Sequence, residues 1–175
     1  MAKPKMATVW LDGCSGCHMS FLDIDERLLE LLTKVDLVYS PLVDNKIFPP
    51  DVDITLIEGS VSNEDDLHKI KMVRERTKIL VSLGDCAVTA NVPSMRNLVP
   101  GGVSAILDRV SAGNSPKQPS DVPLLCSRAL PVHNHVKVDV FVPGCPPSAE
   151  TIMYVLEELL AGRKPELLEK TRFGA

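Results

Sequence analysis

Aromatic side chains are scarce. Phe, Trp and Tyr make up only 4% of the 175 residues, so the chain offers no stacking platform for nucleic-acid bases. A basic surplus is missing too. The net charge is −4 and the pI about 5.6, which excludes nucleic acid as the main partner, because phosphate binding needs a clustered Lys/Arg surface. Long apolar runs are also absent. Met6–Leu11 and Val138–Val142 fall far short of the roughly 20 residues that a membrane-spanning helix needs. Lys3 and Lys5 precede an apolar run, as in a secretory signal, but that run stops at Asp12 with no small-residue cleavage site after it. There is no twin-arginine signal, and the expected location is the cytoplasm. The sequence also lacks a GxGxxG turn for a dinucleotide and a GxxxxGK[ST] phosphate loop.

The remainder is an ordinary globular mix, 45% apolar and 24% charged, of a length that suits a single domain over residues 1–175. No internal repeat or low-complexity tract interrupts it. Met6–Leu11 reads as a first buried strand, Asp36–Tyr39 as a second, Asp53–Glu58 as a third, Lys78–Leu83 as a fourth and Val138–Val142 as a fifth. Between them, Phe21–Thr33 has Ile24, Leu28, Leu31 and Leu32 on one helical face. Asp23, Asp25 and Glu26 fall in its early turns, where the helix dipole favours acids. Ser62 with Asp65 reads as a capping box for a helix over roughly Glu64–Arg76. Ser148–Leu160 reads as a last helix, with Ile152, Leu156 and Leu159 inward and Pro146 and Pro147 at its start. Short apolar strands alternating with amphipathic helices mean a parallel α/β sheet. Val92–Pro131 is rich in turn formers, with little periodicity beyond Ala105–Val110. An irregular stretch of this length is expected to face a partner.

Five cysteines in a reducing compartment point to metal or redox chemistry rather than disulfides. Cys14 and Cys17 follow the first strand in LDGCSGCHMS, Cys86 follows the fourth in SLGDCAV, and Cys145 follows the fifth in FVPGCPP. Ligands of an open parallel sheet bind beyond the carboxyl ends of its strands, so these four thiols are expected to converge on one edge. Gly13, Gly16, Gly84 and Gly144 let the backbone approach a bulky inorganic group. Four thiolates are the complement of a [4Fe–4S] cluster. Three other readings compete. CxxC between strand and helix is also the thioredoxin-like arrangement of a thiol–disulfide oxidoreductase, which leaves Cys86 and Cys145 without a role. Structural zinc takes four thiolates but usually pairs CxxC with a second short-spaced motif, absent here. Cys86 and Cys145 could also be buried small hydrophobes.

The pieces LDGCSGCHMS (11–20), IEGSV (57–61), SLGDCAV (82–88) and VPGCPPSAE (142–150), in that order, resemble the small subunit of nickel–iron hydrogenases. The resemblance is strongest to the short cytoplasmic kind found in NAD-reducing (bidirectional) enzymes. It implies a flavodoxin-like open parallel sheet with helices on both faces. It implies that Cys14, Cys17, Cys86 and Cys145 bind one [4Fe–4S] cluster. It further implies a hydrogenase large subunit that holds the Ni–Fe centre, and iron–sulfur/flavin diaphorase subunits that carry FMN and NAD. The chain would then act only as a subunit of hydrogen dehydrogenase, passing electrons between partners. No cysteine follows Cys145, so a single cluster is expected. The related complex I subunit has adjacent cysteines where this chain has Cys14-Ser-Gly-Cys17, which counts against quinone reduction. Glu58, at the end of the third strand, is expected to point toward the cysteines. His18 is expected at a solvent-facing or interface position, and His133 and His135 on one shared surface face. Cys126 is expected to be a packed free thiol.

Overall fold

The computed structural model describes residues 2–111 and 121–171; the rest of the turn-rich stretch, residues 112–120, lies outside the described residues. In chain order the first half gives β1 (Lys5–Trp10), α1 (Gly16–Leu22), α2 (Glu26–Lys34), β2 (Asp36–Tyr39), β3 (Val52–Glu58), β4 (Val61–Asn63) and α3 (Glu64–Glu75). The second half gives β5 (Thr77–Leu83), α4 (Gly84–Thr89), α5 (Gly102–Val110), β6 (Leu125–Leu130), β7 (Val140–Val142) and α6 (Ala149–Leu160). Short 3-10 helices cover Val92–Leu98 and Val132–Asn134.

The main sheet runs β2-β1-β3-β5-β7, and every pairing in it is parallel. Counting only these five strands, the order is that of flavodoxin, in which the switch point lies between the first and third strands. β1, β3 and β5 are buried along nearly all their length, as expected of parallel strands covered on both faces. Ile54, Leu56, Val81 and Leu83 pack under α1, α2 and α6, against Phe21, Leu31, Ile152 and Leu156. Ala7, Val9, Ile57 and Leu80 face the other way, onto Ile70 and Val73 of α3 and Ala87 of α4. Helices therefore cover both faces, as the sequence led one to expect.

Several details differ from the sequence reading. The helix over Phe21–Thr33 is two helices. α1 begins five residues earlier, at Gly16, and the chain turns at Asp23–Asp25, where Asp25 takes φ 60. With ψ −130, Asp25 lies outside the left-handed helical well, in backbone space that few non-glycine residues adopt. Ile24, within the break, and Leu31, in α2, stay buried. The cap of α3 sits one residue later than Ser62. Asn63 Oδ1 accepts the Asp66 N–H at 2.9 Å, and the Asp66 carboxylate accepts from the Ser62 N–H and Asn63 Nδ2. Burial raises the pKa of Asp66 above the usual carboxylate range despite these donors. Pro146 and Pro147 lie before the cap of α6 rather than inside the helix. Ser148 is that cap, accepting the Thr151 N–H. The turn-rich stretch is more ordered than expected. It holds α5, a 3-10 helix and β6, and β6 pairs antiparallel with β4 in a second small sheet.

Leu156 is fully buried in the layer beneath α1 and α6. Leu156→Ala should cost about 2–5 kcal/mol of unfolding free energy. In urea this appears as a lower midpoint at unchanged slope. A cost below about 1 kcal/mol would mean that this layer does not hold the helices to the sheet.

Candidate metal centre

The site is built from the loops that leave the carboxyl ends of four adjacent strands. Past β1 the chain passes Cys14, turns at Ser15 in the left-handed region (φ 64), and enters α1 at Gly16. The Gly16 N–H points back at Cys14 Sγ, 3.4 Å away. Cys17, in the first turn of α1, is buried, whereas Cys14 is exposed. β5 runs directly into α4, whose third residue is the buried Cys86. Cys145 lies exposed in the loop between β7 and α6. All four cysteines line one cavity of about 60 Å³, together with Gly16, Glu58, Asp85, Gly144 and Pro146. Among the described residues, no three His, Cys, Asp or Glu side chains are gathered tightly enough to hold one metal ion. Mononuclear zinc would need each sulfur within about 2.3 Å of the metal. A polynuclear cluster differs in that its cysteine ligands bind separate iron ions and need not reach one common atom.

The loops are locked to one another by residues between the cysteines. Asp85 and Gly144 bond reciprocally: the Gly144 N–H donates to Asp85 Oδ1 at 2.7 Å, and the Asp85 N–H donates to the Gly144 carbonyl at 2.8 Å. The Cys86 and Cys145 loops are thus held in fixed register. Ser20 Oγ of α1 donates to the Pro147 carbonyl and ties in the third loop. Gly84 is required by sterics. It has φ +81, and a Cβ there would sit 2.1 Å from Cys17 Sγ. The sulfur occupies the space that a side chain would take.

Glu58 ends β3 and is 2% exposed. It does point to the cysteine edge, where it accepts the His18 main-chain N–H at 2.9 Å and pairs with His18 Nδ1. His18 is therefore not at the surface. Its other ring nitrogen lies 3.0 Å from Thr8 Oγ1, and Thr8 donates to Ser40 Oγ at 2.8 Å. The buried line Glu58–His18–Thr8–Ser40 anchors the residue that follows Cys17. The exposed Met19 and the buried His18 reverse the order that hydropathy alone suggests, and the helix start at Gly16 puts His18 on the inner side. His133 and His135 do not share a strand face. His133 belongs to a 3-10 turn and packs edge-on against Phe141 at 5.6 Å, while His135 is partly buried with its pKa lowered by burial. Cys126 lies on β6, partly buried and free, and is not among the residues lining the cavity.

The electrostatics run against a free reactive thiol. Burial first, and the Glu58 charge second, push the Cys17 thiol far above its ordinary pKa. Burial pushes Cys86 up to about 11, and the nearby Val92 main-chain N–H offsets this only in part. None of the cavity-lining residues is cationic. A bound group carrying positive charge would stabilise the thiolates there.

Comparison with known proteins places this architecture. The chain belongs to the family described as NADH ubiquinone oxidoreductase, 20 Kd subunit, which it matches over residues 14–159. Within it, the chain groups with the small subunits of NAD-reducing nickel–iron hydrogenases. It is 40% identical over 182 residues to the NAD-reducing hydrogenase HoxS subunit delta of Cupriavidus necator, covering 94% of this chain and 82% of that protein. It is 37% identical to a vhu subunit of the F420-non-reducing hydrogenase of Methanococcus voltae, where 96% of this chain spans 60% of the relative. A chain of an NAD+-reducing [NiFe]-hydrogenase in the H2-reduced state superposes with a TM-score of 0.91 at 39% identity, over 98% of this chain and 99% of the other. A [NiFeSe] hydrogenase of Desulfovibrio vulgaris Hildenborough, at 18% identity and a TM-score of 0.61, shares the fold.

Gly84→Ala tests the packing at Cys17. The added methyl must displace the sulfur or the backbone, a strain of about 1–3 kcal/mol. Iron bound per chain should fall well below wild type while the far-ultraviolet circular dichroism stays unchanged. Full iron content in Gly84→Ala would show that Cys17 is free to move.

Proposed function

We propose that Cys14, Cys17, Cys86 and Cys145 hold one [4Fe–4S] cluster, and that the chain is the electron-transfer small subunit of a cytoplasmic NAD-reducing nickel–iron hydrogenase. The observation that carries this reading is the convergence of the four thiols, two buried and two exposed, on one cavity at the carboxyl edge of the sheet with no cation in its lining. Such a cluster supplies one-electron transfer and, with four thiolates on it, offers no open position for hydrogen. The chain's own residues keep the loops in place through Asp85 and Gly144, exclude water at Cys17 and Cys86, and fix the start of α1 through Glu58 and His18. Hydrogen chemistry then falls to a Ni–Fe centre on a large subunit. NAD takes up a hydride, so a flavin on a diaphorase subunit must gather electrons in pairs. The large subunit covers the cysteine edge, where Trp10, Met19, Val92, Met95 and Leu98 are exposed. No helix among the described residues is long and apolar enough to cross a membrane.

The competing reading, a stand-alone thiol–disulfide oxidoreductase, needs a CxxC thiol with a lowered pKa. Cys17 is shifted the other way, and that reading gives Cys86 and Cys145 no part.

The test uses the assembled complex with this subunit as wild type, Cys86→Ala or Cys126→Ala. Hydrogen-driven NAD reduction should collapse in Cys86→Ala, whereas NADH oxidation by an artificial dye should survive. Cys126→Ala should keep both activities and its iron. Full hydrogen-driven NAD reduction in Cys86→Ala, with the cluster gone, would remove this chain from the electron path.

A further inference from the structure

The connection that follows the Cys86 helix carries a feature that the ligand set does not require. α4 closes at Ala90 in the left-handed region (φ 64), and Asn91 follows with φ 13 and ψ −113, a conformation that few non-glycine residues adopt. This sharp corner brings the Asn91 side chain across to the opposite ligand loop, 54 positions away in sequence. Its Nδ2 lies 3.6 Å from Cys145 Sγ. Asn91 is itself held in place, because its carbonyl accepts from Ser94 Oγ at 2.7 Å and from the Ser94 N–H at 3.2 Å. The corner thus directs a side-chain donor at a cysteine sulfur of the opposite loop. Cys145 is exposed, and the donor aimed at it is a side-chain amide.

We propose that Asn91 is a positioning residue of the electron-transfer site, whose amide donates a hydrogen bond to the Cys145 thiolate and raises the reduction potential of the cluster. This rests on the reading of Cys145 as a ligand. The direction follows from charge. Reduction adds an electron that spreads onto the thiolate sulfurs, and an N–H donor stabilises the more negative state. Removing the donor favours the oxidised state. The amide does not titrate, so the effect is the same across the neutral pH range.

The experiment uses the full chain carrying its cluster, as wild type, Asn91→Ala and Asn91→Asp. Iron and acid-labile sulfide are measured first. A wild-type chain without them overturns the cluster reading, and the role of Asn91 with it. With iron content equal in all three, potentiometric titration followed by electron paramagnetic resonance reads the midpoint. Asn91→Ala should lower the reduced-to-oxidised ratio at a fixed solution potential by about tenfold, or ~59 mV for a one-electron couple. Asn91→Asp keeps the shape of the residue but replaces the donor with a negative charge, and should lower the ratio further. Resonance Raman should show an Fe–S(Cys) stretch shifted to higher frequency in both variants. A purely structural Asn91 would alter stability or iron retention and leave the midpoint where it was. Either variant titrating like wild type at full iron content overturns the proposal, and Asn91→Asp supplies that comparison if Asn91→Ala does not fold.

Discussion

Trp10 pairs with Glu58, Glu58 with Leu83, and Leu83 with Val142 across four parallel strands. That single row sets where β1, β3, β5 and β7 all stop. Cys14, Cys86 and Cys145 lie within a few residues of it because each loop starts from the same line, and Cys17 enters on the first turn of α1. A slip of one residue in any pairing would turn that strand's side chains to the opposite face and carry its cysteine away from the others. The buried faces of the strands enforce the row. Ile54, Leu56, Val81 and Leu83 must meet one helical layer while Ile57 and Leu80 meet the other.

The row also explains the charge pattern of the site. Glu58 ends its strand level with the cysteine loops, and its burial would be costly without the His18 ring and main-chain N–H beside it. The carboxylate fixes α1, but it also makes the cavity less hospitable to bare thiolates, Cys17 most of all. An acidic wall, two buried thiols and the absence of lining cations favour a bound group that brings positive charge. The same features disfavour a thiol that works alone.

Much of this was legible in the residues. Strands covered on both faces give short apolar runs, and MATVW, DITLIE and KILVSL show them directly. The four cysteines each follow such a run, so their convergence could be argued from strand ends alone. Other features were hidden for physical reasons. The break at Asp23–Asp25 leaves the apolar spacing of Ile24, Leu28 and Leu31 intact, so periodicity cannot reveal it. β4 and β6 are short and partly polar, and they pair across more than sixty positions. Ser62 and Asp65 imitate a capping box one residue away from the true pair, Asn63 and Asp66. The burial of His18 depends on a tertiary partner, Glu58, forty positions away. β7 is shorter than its apolar run because Asp139 turns aside to bond Arg74 and the Leu80 N–H.

The central claim is that four thiolates at this edge hold one iron–sulfur cluster, and Mössbauer spectroscopy with metal and sulfide analysis tests it most directly. Anaerobically purified, iron-57-labelled chain should carry about four iron and four acid-labile sulfide per molecule, with the spectrum of a single [4Fe–4S] centre. Stoichiometric zinc without sulfide, or a metal-free chain with a disulfide between Cys14 and Cys17, would contradict the account.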